Sequence, residues 1–123
     1  PSSVKPEDLL YFVYLDEFCS DWKELFGPDT DDEALWALEI LIMSNPLAAP
    51  VVAKTGGLRK LRFGKEDAGK RGGARICYAY FPNHNTVLML LAYGKNNKAE
   101  LTNGERAGIK KYLEQVESWL DNR

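Results

Sequence analysis

A small α+β domain is what this sequence predicts, and three observations predict it. Two runs of strand character, residues 74–81 and 86–93, flank a Pro-Asn-His-Asn turn. Apolar residues at helical spacing fill residues 17–26, 33–44 and 105–120. The chain has 123 residues, the length of one domain with a real core.

Residues 1–8 read as a loose polar lead. Residues 10–15 (LYFVYL) read as a short strand, with helix the alternative for so short an apolar run. As a strand it puts Phe12 and Tyr14 on one side and Tyr11, Val13 and Leu15 on the other. Residues 17–26 place Phe18, Trp22, Leu25 and Phe26 on one helical stripe, stopped by Gly27-Pro28. Thr30-Asp31-Asp32-Glu33 is a capping box for the next helix, which Asn45-Pro46 ends. That helix is apolar around much of its circumference (Leu35, Trp36, Leu38, Ile40, Leu41, Ile42, Met43), so burial against a sheet and another helix is expected.

After a connector, Gly56-Gly57 turns the chain into a basic strand over 58–63. Adjacent Arg and Lys there put positive charge on both faces or at a sheet edge. Residues 64–73 form a loop with four glycines and three basic residues. In the next strand Ile76, Tyr78 and Tyr80 alternate with Arg75, Cys77, Ala79 and Phe81. The strand after the turn is apolar nearly throughout, which predicts a central strand covered on both faces. Thr102-Asn103-Gly104-Glu105 is a second capping box, and Ile109, Tyr112, Leu113, Val116 and Leu120 form the inner face of a last helix.

Composition narrows the class. The chain carries no disorder signature and no apolar run long enough to span a bilayer. The first ten residues hold acids and two prolines, so no secretory leader is expected, and the missing initiator Met points to a trimmed chain. Cys19 and Cys77 are expected to be buried thiols in a reducing cytosol, with a disulfide the alternative. One histidine and no CxxC predict no structural metal.

Net charge is only −2, but it is segregated. Residues 1–53 carry two cations against eleven acids, a net of −9, while residues 54–75 carry eight cations against two acids, a net of +6. A basic block on a sheet is either a polyanion footprint or a solvated charged surface.

Three groups bear on chemistry. Gly64 to Lys70 (GKEDAGK) matches the first seven places of a phosphate-loop pattern, but Arg71 stands where the motif needs Ser or Thr. The loop also opens a strand, not the helix whose dipole would face a phosphate, so nucleotide hydrolysis is excluded. His84 sits among asparagines and is expected to be a solvent-exposed turn residue, with a general base the alternative. Arg59, Lys60, Arg62 and Arg75 lie on neighbouring strands, with Tyr78, Tyr80, Tyr93, Lys95 and Lys98 as companions. Cations position phosphates and aromatic rings stack bases. Tyr78 and Tyr80 are equally core candidates, and at least one is expected in the core.

The run TGGLRKLRF, then GKRGGARI, then AYGKNNKAELT before a closing helix resembles the RelE/HigB toxins of bacterial type II toxin–antitoxin systems. The likeness covers about residues 34–120. It implies a single toxin domain over residues 1–123, with a twisted antiparallel sheet of three to four strands, two N-terminal helices and one C-terminal helix. It implies a cytoplasmic, ribosome-dependent endoribonuclease that needs no cofactor or metal and cleaves mRNA by attack of a ribose 2′-OH. The implied partners are the ribosome with its mRNA and a helix-turn-helix, HigA-like antitoxin, with no membrane. Carried over by position, the catalytic residues are Arg75, Arg62 and Lys60. The RNA- or ribosome-binding residues are Arg59, Lys65, Lys70, Arg71, Lys95 and Lys98. Some relatives have an arginine after the lysine of the GK pair, where this chain has Asn96, and some carry a catalytic tyrosine near the C-terminus. The alternatives are a ParE-like gyrase inhibitor and a non-catalytic RNA- or ribosome-binding domain. Glu100 and a lysine of lowered pKa are the candidate bases.

Overall fold

A computed structural model describes residues 4–27, 33–64, 73–94 and 100–123. Four strands, β1 (Tyr11–Tyr14), β2 (Arg59–Phe63), β3 (Ala74–Phe81) and β4 (Thr86–Gly94), form one sheet in the order β1-β4-β3-β2. Helices α1 (Asp16–Phe26) and α2 (Glu33–Ser44) share a core with one face of the sheet, and α3 (Asn103–Asp121) shares a core with the other. The α+β layout expected from the sequence is the one observed.

The β3–β4 hairpin forms as its residues dictate. Pro82–His84 make a 3-10 turn and Asn85 takes the left-handed conformation (φ 51°), which asparagine tolerates well. β4 is central and its apolar run is covered on both faces. Along β3, Ile76 and Tyr78 enter the α1/α2 core, while Cys77, Ala79 and Phe81 enter the α3 core. Tyr78 is buried, and its hydroxyl donates to the Pro46 carbonyl at 2.8 Å. Burial also pushes its phenol above the usual tyrosine range.

Pairing across the sheet departs from the sequence reading in two ways. β1 runs parallel to β4, so the sheet is mixed, with antiparallel pairing confined to β2–β3–β4. Alternation along a strand is the same in either direction, so residues 10–15 carry no signal for this choice. A bulge also shifts the β3–β4 register, since Cys77 faces Leu91 but Tyr78 faces Met89. The extra residue turns Leu90 and Leu91 to the same side, and the phase of β4 reverses beyond it. Past the end of β1, the Ala92 backbone N–H has no strand partner and donates to Asp21 Oδ2 on α1 at 3.0 Å.

The helices follow their signals. Tyr14, Phe18, Trp22, Phe26 and Phe63 form a chain of ring contacts, with centroids 4.1–6.2 Å apart. Gly27 ends α1 at φ 98°. The second capping box forms as read: Thr102 Oγ1 accepts from the Glu105 N–H at 3.1 Å, and Glu105 Oε1 accepts from the Thr102 N–H at 2.8 Å. The first capping box lies partly outside the described residues. α2 packs Leu38 and Ile42 with α1 and the sheet, as expected, but leaves Trp36 and Leu41 exposed. The loose lead is corrected over residues 5–8, where Pro6–Asp8 make a 3-10 turn held by Asp8 Oδ2, which accepts from the Lys5 N–H at 3.1 Å; residues 1–3 lie outside the described residues. Among the described residues no helix is long and apolar enough to cross a membrane.

Cys77 is buried and free, whereas Cys19 is exposed and free, so only one thiol meets the sequence expectation. Burial pushes the Cys77 thiol up to about 11, against the opposing pull of Lys60. A disulfide reagent near pH 8 is therefore expected to count one fast thiol, Cys19, in the native protein and both after denaturation. Two fast thiols in the native protein would contradict this packing.

Glu39 on α2 accepts the Tyr14 hydroxyl, and partial burial raises its carboxyl above the usual carboxylate range. The folded chain then holds this proton to a higher pH than the unfolded chain does. Stability from this group falls as pH rises from the unfolded value through the raised folded value. Glu39→Gln keeps an oxygen acceptor for Tyr14 and removes the ionisation. Its melting temperature is expected to lose that decline as pH rises through and above the ordinary carboxylate range, and to exceed the native value once Glu39 of the native chain is ionised.

Candidate nucleic-acid interface

β2 is an edge strand, and its pairing with β3 sorts the basic residues by face. Lys60 lies opposite Cys77, and Arg62 lies opposite Arg75. Cys77 belongs to the α3 core, so Lys60, Arg62 and Arg75 share the α3 side of the sheet. Arg59 lies opposite Tyr78 and falls on the α1/α2 side. The four cations of the sequence reading are thus split three to one.

Arg59 has a different surrounding from the one expected. Its Nη1 donates to the carbonyls of Leu47 at 3.0 Å and Ala49 at 2.7 Å. The Lys60 backbone N–H also bonds the Pro50 carbonyl at 3.0 Å, and Val51 bridges to Arg59. These contacts lay the segment after α2 along the outer edge of β2, which covers an otherwise open strand.

The three cations on the α3 side are concentrated and unneutralised. None of them forms an ion pair among the described residues. Like charges directly opposite on antiparallel strands are destabilising by some tenths to about 1 kcal/mol. Arg62 is exposed, while Lys60 and Arg75 are half-buried. Arg75 Nη1 is fully shielded from solvent and has no hydrogen-bond partner. A buried donor left unmade costs about 1–3 kcal/mol, more when charged. Gly73 lies against it: a Cβ there would stand 3.4 Å from that nitrogen. At the same end of the hairpin a Cβ on Gly64 would meet the Gly73 Cα at 3.3 Å, so β2 and β3 close there on bare backbone.

Tyr93 completes the row Arg62–Arg75–Tyr93 across three strands. The β4 bulge puts it there, because unbroken alternation from Val87 and Met89 would have turned it to the α1/α2 side. The sequence offered Tyr93 only as a companion, and an apolar run carries no mark of the bulge. Tyr78, by contrast, is a core residue.

The candidate bases lie elsewhere. His84 sits at the other end of β3, half-buried, with Nε2 2.6 Å from Asp121 Oδ1. It ties the hairpin turn to the end of α3, which corrects its reading as a solvent-exposed residue. Glu100 Oε1 accepts from Arg106 Nη2 at 3.4 Å. Arg106 also donates to the carbonyls of Ala53 and Leu101, so it is tied to the scaffold. Lys65, Lys70, Arg71, Lys95 and Lys98 lie outside the described residues. Among those described, no cluster of three or more His, Cys, Asp or Glu could hold a metal ion. No family model matches the chain.

Chemically, this face can hold an oxyanion. Arg75 offers a planar fork of donors, Arg62 a second fork opposite it, and Lys60 a point charge two residues further along β2.

Proposed function

We propose that this chain is a ribosome-dependent mRNA endonuclease, the toxin of a type II toxin–antitoxin pair, acting in the cytoplasm and held inactive by a helix-turn-helix antitoxin. The observation that carries the reading is the grouping of Arg75, Arg62 and Lys60 on one face of the sheet with no ion pair among the described residues, a charge arrangement that an RNA phosphate would neutralise. Arg75 binds the scissile phosphate. Arg62 and Lys60 meet the charge that grows on the non-bridging oxygens.

The reaction needs no group beyond RNA and a proton path. The ribose 2′-oxygen loses its proton and bonds to the adjacent phosphorus, the P–O5′ bond breaks, and a proton reaches the leaving 5′-oxygen. The products are a 2′,3′-cyclic phosphate and a 5′-hydroxyl. Among the described residues no carboxylate pairs with Lys60, Arg62 or Arg75.

The test is primer extension on a defined mRNA, with and without translating ribosomes. Cuts that need ribosomes support the reading. An absence of cuts in both conditions, with binding to ribosomes that falls with salt, would give the same cations to a non-catalytic RNA-binding domain. Loss of gyrase supercoiling activity would point to a gyrase inhibitor.

A further inference from the structure

We propose that the flank of α3 beside β1 is a docking groove for a basic amphipathic helix of a partner protein. The inference uses no residue of the cationic face and stands independently of the nuclease reading.

The two faces of the sheet are covered unequally. A helix about 10 Å wide covers roughly two strands spaced about 4.8 Å apart. The four strands carry two helices on one side but only α3 on the other. β1 is left bare on the α3 side. Tyr11 and Val13 are 74% and 46% exposed there, while Phe12 and Tyr14 pack into the α1/α2 core. Trp119 on the facing flank of α3 is 61% exposed.

Two cavities of about 460 and 400 Å³ lie along this flank. The first lies between Tyr11, Val13 and Trp119, and the second between Leu15, Leu91 and Tyr112. Glu105, Tyr112 and Trp119 fall within one sector of α3 at 100° per residue. The cavities are therefore consecutive stretches of one groove, with α3 antiparallel to β1. From Glu105 to Trp119 it measures about 21 Å, or four helical turns.

Charge selects the occupant. Glu17 and Glu105 line the Leu15 end, and no cation lines that cavity. At the other end Arg123 stands over the Trp119 ring at 5.1 Å. The groove therefore fits a helix with an apolar stripe whose lysines or arginines cluster at the Glu17 end. A second copy fits poorly. Its α3 would have to turn outward-facing Lys110, Lys111, Glu114 and Glu117 onto an apolar floor.

The test titrates the full chain into a labelled peptide of about 18 residues with leucines on one face and lysines in one terminal turn. Fluorescence anisotropy should report saturable binding. Val13→Lys and Trp119→Ser, both at exposed positions, should each weaken it by about tenfold without changing the melting temperature. Glu17→Lys should weaken it by a few fold, and exchanging the peptide's lysines for glutamates should restore affinity for that variant. Three outcomes overturn the proposal: affinity indifferent to Val13 and Trp119, equal binding of a proline-interrupted peptide (an extended strand on the β1 edge), or self-association that Val13→Lys abolishes.

Discussion

Arg75→Met is expected to abolish ribosome-dependent cleavage and to leave the chain at least as stable as the native one. On the proposed mechanism Arg75 contacts the reacting phosphate, and removing a preorganised donor of that kind costs about 10²–10³ in rate. The stability argument runs the other way. Nη1 of Arg75 is buried without a partner, and Arg62 stands directly opposite. Replacing such a group by an apolar side chain of similar shape is close to neutral or stabilising, here by about 1 kcal/mol. Arg75→Lys keeps the charge but loses the fork, so its cleavage rate should fall between the two. Urea denaturation and primer extension on the same preparations decide the matter. Full activity in Arg75→Met would sink the assignment. Joint loss of activity and several kcal/mol of stability would make Arg75 a structural residue.

This opposition between local stability and charge was half legible in the sequence. The β3–β4 hairpin was readable because its turn chemistry and its apolar alternation agree, and both are local. The Thr102–Glu105 box was readable for the same reason. Arg75 and Arg62 could be singled out as basic strand residues, but their juxtaposition depends on which residue of β2 meets which residue of β3. A slip of one place would have put Arg62 on the other face. Tyr93 depends on the bulge in β4, which turns both Leu90 and Leu91 to the α3 core. The parallel pairing of β1, the contact of His84 with Asp121 and the exposure of Cys19 are all products of tertiary placement. Each joins residues far apart in the chain or depends on what covers a helix, and no periodicity encodes it.

Arg59→Met is expected to cost stability where Arg75→Met does not, although the two arginines look alike in the sequence. Arg59 is turned to the α1/α2 side, and its guanidinium holds the carbonyls of Leu47 and Ala49. Ala49 is buried, so its carbonyl loses a charged donor without gaining water. A hydrogen bond to a charged group contributes about 1.5–3 kcal/mol, and the bond to exposed Leu47 adds less, which puts the total near 2–3 kcal/mol. The cut also reaches further than two bonds. The same segment is held through Pro46 by the Tyr78 hydroxyl and through Pro50 by the Lys60 N–H. Loosening it should weaken the Tyr78 bond, so Arg59→Met and Tyr78→Phe together should cost less than the sum of the single changes. Cleavage per folded molecule should stay within about threefold of native, since the change removes nothing that touches the phosphate in the proposed mechanism. Denaturation midpoints of the two single variants and the double variant measure the coupling. Additive losses would show that the segment is not held as a unit. A severe loss of cleavage at unchanged stability would return Arg59 to the RNA-binding set.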